Sequence, residues 1–282
     1  MTVYVVTLQC IDRPGIVLAT STAIVAVDGN ILENDQFTDP VTARFCMRTR
    51  FESESQDLSA VRDQLEAALS PFDPILTIRR EDTRRRALVM VSQYDHCLAE
   101  LLYRRDSGDL PLEIVAVVSN HRDCAALAQR HDVPFFHVPI TPETKAAAED
   151  ELRELLATWR ADFVILARYM QVLSRELCAD LAGRALNIHH SFLPGFKGAR
   201  PYHQAYERGV KLIGATAHFV TAELDEGPII DQDVVRVTHA RRPEDLVALG
   251  RDVERSVLAR AAHLLAEDRV ALVGQRTVVF SQ

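Results

Sequence analysis

Between residues 3 and 80 the apolar positions fall into two alternating patterns. Residues 3–8, 31–37, 43–51 and 75–78 are rich in β-branched and apolar side chains and read as strands. Residues 16–27 and 58–69 carry helical spacing, as in Leu58, Val61, Leu65 and Leu69. Asp12-Arg13-Pro14-Gly15 is the turn into the first helix, and Thr38-Asp39-Pro40 joins the middle strands. From residue 87 the pattern changes. Short apolar runs at 87–92, 113–119, 163–166 and 185–188 alternate with helical stretches at 96–102, 123–130, 149–159 and 175–181. Such runs predict strands buried on both faces of a mostly parallel sheet. Further strands are expected at 213–220 and 229–237. A long helix is expected from Pro243, where proline is tolerated at an early helical position, and a closing hairpin pairs 271–273 with 277–280.

The first block, in the order strand, helix, strand, strand, helix, strand, is the split βαβ pattern of ferredoxin-like α+β domains. The second predicts a Rossmann-like, doubly wound α/β domain, which places its site at the carboxyl ends of the strands. The charged run 81–86 lies between them and reads as a linker, giving expected domains at 1–82 and 87–282. A chain of 282 residues accommodates both.

The net charge of −8 argues against nucleic acid and anionic membranes as partners. The first residues lack the basic region of a signal peptide, and no apolar stretch is long enough to span a bilayer, so a cytoplasmic location is expected. Five cysteines, odd in number and without a Cys-x-x-Cys pair, exclude a disulfide framework and a structural zinc knot.

Two stretches carry chemistry. The first, 185–201, ends a buried strand in Asn187-Ile188-His189-His190-Ser191. Alternation puts Asn187 and His189 on one side of that strand and points His190 away. A proline- and glycine-bearing loop follows at 193–198, with Lys197 and Arg200 as bases able to meet an anion or to cover surface. In the second stretch, 214–230, Asp225 lies in a loop between two strands, just before Glu226-Gly227-Pro228. Amide, imidazole and carboxylate converge if both strand ends face one crevice. Histidine-rich spacing around His189, His190, His203 and His218 does not support a metal site.

These stretches resemble the folate formyl-transfer family, whose hallmark is Asn-x-His-x-Ser-x-Leu-Pro with a later aspartate, here 36 positions after His189. The resemblance covers most of 87–235. It implies the formyltransferase fold, Asn187, His189 and Asp225 as the catalytic trio, and 10-formyltetrahydrofolate as the formyl-bearing substrate, with no further cofactor. It also implies that Met170, Gln171, Val172 and Leu173, within 166–174 (LARYMQVLS), grip the pterin through main-chain groups. Thr221, Glu223 and Leu224 belong to the loop expected over its other edge. The chemistry suits these residue types, because a tetrahedral oxyanion forms as the formyl carbonyl is attacked. Asn187 and a cationic His189 would stabilise it, while Asp225 would hold His189 positive and take the proton of the attacking group.

Residues 8–17 (LQCIDRPGIV), followed by Gly29-Asn30-Ile31, resemble an ACT domain, a small regulatory module. That likeness implies a binding site for amino acids, glycine or methionine, around Asp12, Gly15 and Asn30, and pairing of the chain into a homo-oligomer, a dimer or tetramer. A helix amino terminus offers free N–H groups to a carboxylate.

Three features choose the acceptor within the formyl-transfer family. A nucleotide-using transferase needs a glycine-rich turn after its first strand for phosphate. Here that turn reads Ser92-Gln93-Tyr94-Asp95-His96-Cys97. The residue after the motif histidine is usually proline in the transferases, and here it is His190. The ACT-like segment belongs with the hydrolytic members. Hydrolysis to tetrahydrofolate and formate, serving purine synthesis and one-carbon balance, is therefore expected. Transfer to an amine such as glycinamide ribonucleotide is the alternative.

Overall fold

In the computed structural model residues 1–195 and 201–280 are described, and Lys197 and Arg200 lie outside them. The chain separates into two compact units, 1–84 with 267–282, and 85–266.

In the first unit, β1 (Thr2–Ile11) is followed by α1 (Ile16–Val25), β2 (Gly29–Asp39), β3 (Arg44–Ser53), α2 (Leu58–Leu69) and β4 (Ile75–Arg80). The sheet is antiparallel in the order β2-β3-β1-β4. Alternation along β1 turns Tyr4, Val6, Leu8 and Cys10 toward the helices, where they pack with Ile24, Val61, Leu65 and Leu69. Helix α2 starts where the Asp57 carboxylate accepts hydrogen bonds from the N–H groups of Ser59 (2.9 Å) and Ala60 (3.3 Å).

The second unit holds a sheet of seven strands. In chain order its elements begin with β5 (Arg85–Val91), α3 (His96–Ser107), β6 (Leu112–Ser119), α4 (Ala125–Arg130) and β7 (Phe135–His137). Next come α5 (Lys145–Thr158), β8 (Phe163–Leu166), α6 (Arg175–Asp180), β9 (Ala185–His189) and α7 (Pro201–Glu207). The unit closes with β10 (Leu212–Phe219), β11 (Ile229–Arg236) and α8 (Pro243–Ala266). The strand order is β11-β10-β9-β8-β5-β6-β7. Strands β9 to β7 in that order run parallel, while β10 is antiparallel to both β9 and β11. Winding runs outward from β5 to β6 and β7, then returns to β8 and β9 on the other side. The switch point therefore falls between β5 and β8, where an open α/β sheet forms its crevice.

The closing hairpin, β12 (Val270–Val273) with β13 (Arg276–Val279), was expected with the second domain and belongs to the first unit. On β3, Phe45, Met47 and Phe51 face the helices, while Cys46 faces the other side and packs with Ala271, Val273 and Phe280. Arg48 is buried beside Cys46; its Nε–H donates to the Glu267 carbonyl (3.0 Å) and its guanidinium pairs with Glu33 (3.0 Å). The hairpin thus covers an apolar sheet face that would otherwise meet water. The strand β7 and helix α7 are additions to the sequence-based expectation. Both are short, which leaves little periodicity to read.

Candidate active site

Three strand ends meet at one crevice. Strand β9 ends in Asn187 and His189, which alternation carries to the same side. The loop after β10 carries Asp225 back toward them. That return depends on a close backbone approach at Gly227: a Cβ there would lie 1.7 Å from the Phe219 carbonyl oxygen. The crossing is pinned by the Phe219 N–H donating to the Pro228 carbonyl (2.9 Å). Asp225 itself sits at φ 59°, a left-handed conformation in which aspartate is among the tolerated side chains.

His189 Nδ1 lies 3.1 Å from Asp225 Oδ1, and the two side chains are 4 % and 7 % exposed. Burial alone would push the Asp225 carboxyl up; the hydrogen bond and charge of His189 outweigh it and hold the group below its ordinary value.

Sequence reasoning gave His218 no role beyond a discarded metal reading, yet it sets the third member of the site. Its Nδ1 is 2.8 Å from the Phe219 carbonyl oxygen, which only accepts, so Nδ1 carries the proton. Nε2 is then an acceptor, and the Asn187 amide Nδ2–H donates to it at 3.1 Å. This fixes which end of the Asn187 amide faces which way, and it leaves a second N–H for the cavity. Burial lowers the His218 pKa, with the Phe219 bond opposing it, in keeping with a neutral ring. The signal was present in the pattern: on antiparallel β10, His218 is the direct partner of Asn187.

His190 departs from expectation. The strand ends at His189, alternation stops governing direction, and the two imidazole rings lie 5.1 Å apart. Burial, with Arg168 adding to it, pushes the His190 pKa down to about 3, so this ring is neutral.

These groups open on a cavity of about 340 Å³. Met170, Gln171, Val172 and Leu173 line it together with Thr221, Leu224, Asn187, His189 and Asp225. Glu223 is absent from that lining; its side chain faces outward in an exposed pair with Arg175 (3.6 Å), and its carbonyl accepts from Thr221 Oγ1 (3.0 Å). The wall segment 167–174 is anchored at Met170 and Ser174. The Met170 N–H donates to Ser92 Oγ (3.0 Å), and the Ser174 N–H donates to buried Glu149 (2.8 Å). Between the anchors, the main-chain groups of 171–173 make no hydrogen bond among the described residues. They are available to a ligand. Met170, Val172 and Leu224 are each more than half exposed at the cavity rim. Apolar side chains grouped in this way mark a surface that receives an apolar ligand.

His96, Cys97 and Glu254 bring donor atoms within 4.8 Å of one another, a spacing compatible with a metal ion. Their chemistry disfavours one. Glu254 already accepts from His96 and Tyr202 and faces the cation of Arg168. Burial holds the Cys97 thiol protonated. All five cysteines are free and buried.

In the first unit the effector candidates do not share one pocket. Asp12 accepts from Thr38 Oγ1 (3.0 Å) near one end of β2, and Gly15, at φ 102°, precedes α1. Asn30 Nδ2–H donates to Glu52 (3.3 Å) near the other end of β2. Eight residue steps along the strand separate Asn30 from Thr38, roughly 26 Å at about 3.3 Å per step.

A family model described as formyl transferase matches residues 85–262, starting where the second unit starts. The formyltetrahydrofolate deformylase of Corynebacterium sp. strain P-1 is 48 % identical over 278 residues, 98 % of this chain and 97 % of that protein. The crystal structure of the formyltetrahydrofolate deformylase from Burkholderia mallei superposes with a TM-score of 0.96 at 50 % identity, over the whole of both chains. The glycinamide ribonucleotide transformylase 1 from Symbiobacterium toebii reaches a TM-score of 0.66 at 33 % identity. It covers 94 % of its own length but 70 % of this chain. No described helix is long and apolar enough to cross a membrane.

Proposed function

The chain belongs to the formyl transferase family, within its formyltetrahydrofolate deformylases, and from that premise we propose that it hydrolyses 10-formyltetrahydrofolate to tetrahydrofolate and formate. The observation that carries the mechanism is the buried His189–Asp225 pair facing a cavity beside an Asn187 amide oriented by His218.

In this reading the pterin lies against 170–173 and under Thr221 and Leu224, with the N10 formyl group at the floor of the cavity. Water attacks the formyl carbon. Asp225 takes the water's proton directly or through a second water. The tetrahedral oxyanion is met by the second N–H of Asn187 and by the imidazolium of His189. Each such donor contributes roughly 2.7–4 kcal/mol to barrier lowering. Collapse breaks the C–N10 bond, the abstracted proton passes to N10, and formic acid leaves, losing its remaining proton to solvent as formate. Atoms and charge balance without a metal or resident cofactor. Glu223 contributes through its backbone, since its carboxylate faces away.

The first unit serves in this reading as an ACT-type regulatory domain that pairs chains into a dimer or tetramer and binds glycine or methionine at the 12–15 turn. Within one chain that site draws on Asp12 and Gly15, and Asn30 lies too far away to join them. A role in the cytoplasmic formate supply for purine synthesis follows from the reaction.

The test is formate release from 10-formyltetrahydrofolate with no amine added. Formate and tetrahydrofolate appearing in equal amounts support hydrolysis. Activity that needs an added amine supports a transferase instead, and silence under both conditions removes the enzymatic reading.

A further inference from the structure

Two residues lining the crevice, Arg168 and His190, belong to a buried polar cluster that hydrolysis as described above does not use. Arg168 follows β8 at φ 64°, an uncommon conformation for a long side chain, and it lines the catalytic cavity. Its side chain is 10 % exposed, and Nε and Nη1 are buried without a hydrogen-bond partner. Nε lies 3.4 Å from Glu254 Oε2 on α8, and that carboxylate is 1 % exposed. Glu254 also accepts from Tyr202 OH (2.7 Å) and stands 2.9 Å from His96 Nε2. Gly250 is what lets Tyr202 lie against α8, because a Cβ there would sit 2.1 Å from the ring. On its other side the Tyr202 ring is 6.2 Å from His190, which lines the same cavity.

The placement of this cluster matters. His96 lies just beyond β5, Arg168 just beyond β8 and His190 just beyond β9, three neighbouring parallel strands. They occupy the switch-point side of the crevice, where an α/β sheet receives ligands. Met170, Val172, Leu173, Val220 and Leu224 supply the apolar lining of the same cavity. In the reading proposed below, a second substrate larger than water approaches the formyl group past Arg168 and His190, the two cluster residues that line the cavity. The positive φ at Arg168 and the unmet guanidinium N–H groups are local costs, and the fold holds them there through Glu254.

We propose that Arg168 and His190, held by Glu254, Tyr202 and His96, close the acceptor side of the site, so that water is the only nucleophile that reaches the formyl carbon. This rests on the hydrolytic reading above. The cluster acts by exclusion, and its members are specificity-determining residues. With the wall opened, a primary amine attacks the formyl carbon, the C–N10 bond breaks, the amine's proton passes to N10, and an N-formyl amide forms in place of formate.

The test measures the product ratio, which does not depend on how much of a variant is folded. Wild type, the charge-balanced double variant Arg168→Gly/Glu254→Gln and the separate variant His190→Ala are each given 10-formyltetrahydrofolate and increasing glycinamide. Formate and N-formylglycinamide are both quantified. Wild type is expected to yield formate alone at every amine concentration. Either variant is expected to raise the ratio of formylated amine to formate at least tenfold, increasing with amine. Variants that turn over and still yield only formate overturn the proposal, and the hydrolytic reading survives. Variants that bind a folate analogue but do not turn over also overturn it, because the cluster would then be part of hydrolysis itself. Wild type that releases no formate defeats the hydrolytic reading instead.

Discussion

Two turns of this chain carry an aspartate near their tips, and they are built differently. At 12–15 in the first unit, Asp12 is exposed; its carboxylate accepts from the Thr38 hydroxyl and its N–H donates to the Ala43 carbonyl. At 221–227 in the second, Asp225 is buried, held at positive φ, and set against His189 by a backbone crossing that only glycine allows. Water can satisfy the first carboxylate. The second is largely removed from water and needs its imidazole partner, which makes its position compulsory. In the proposed reading, the contrast separates a polar turn that binds an effector from a polar turn organised for chemistry.

The largest expected effect breaks the organised turn directly. Asp225→Asn should lower kcat by about 10³-fold or more, as loss of a coupled catalytic carboxylate does. Binding of a folate analogue, measured by calorimetry, should stay within about threefold. Near-normal turnover in this variant would remove Asp225 from the mechanism. Gly227→Ala removes no reacting side chain and instead displaces the loop that carries Asp225, since its Cβ would collide with the Phe219 carbonyl. A displacement near 1 Å costs about 10²-fold in kcat, and steady-state kinetics would reveal it. His218→Leu removes the acceptor that orients Asn187. The expected loss is about tenfold in kcat with little change in KM, because one oriented donor is weakened rather than removed. His218→Gln, whose side-chain carbonyl can accept the same bond, should recover part of it.

A smaller effect concerns pH. The Asp225 pKa is lowered in the folded protein, so its pairing stabilises the fold above the unfolded carboxylate value of about 3.9 and is lost as pH falls through the lower, folded value. The stability difference between wild type and Asp225→Asn, followed by thermal unfolding, should shrink as pH falls below about 4. A difference that grows on acidification contradicts the pairing. The smallest effect belongs to the other turn. Asp12→Asn should leave turnover in the absence of amino acids unchanged, any effect appearing only as an altered response to glycine or methionine. A large fall in basal kcat would erase the contrast between the two turns.

Much of this was legible in the sequence for a local reason. Asn187 and His189 share a side because a strand has period two, and Asp225 stands next to a glycine and proline that mark a loop. The apolar runs of β5, β6, β8 and β9 announced a buried parallel sheet. What escaped was set by contacts distant in sequence. His218 looks like an ordinary buried histidine until β10 pairs with β9 and brings it to Asn187. Glu254 is one of four acidic residues in a 24-residue helix, and its burial depends on Arg168, Tyr202 and His96 arriving from three other elements. His190 was misdirected because alternation was carried one residue past the strand's end. The closing hairpin was assigned by position along the chain, whereas the open face of β3 at Cys46 decided where it packs.

The most direct measurement of the central claim is the source of the oxygen in the product. 10-Formyltetrahydrofolate is turned over in ¹⁸O-enriched water with no amine present, under single-turnover conditions, and the formate is analysed by mass spectrometry. Attack by water at the His189–Asp225 site predicts one solvent oxygen in each formate, with tetrahydrofolate formed in equal amount. Formate without solvent oxygen, or no formate until an amine is added, would contradict it.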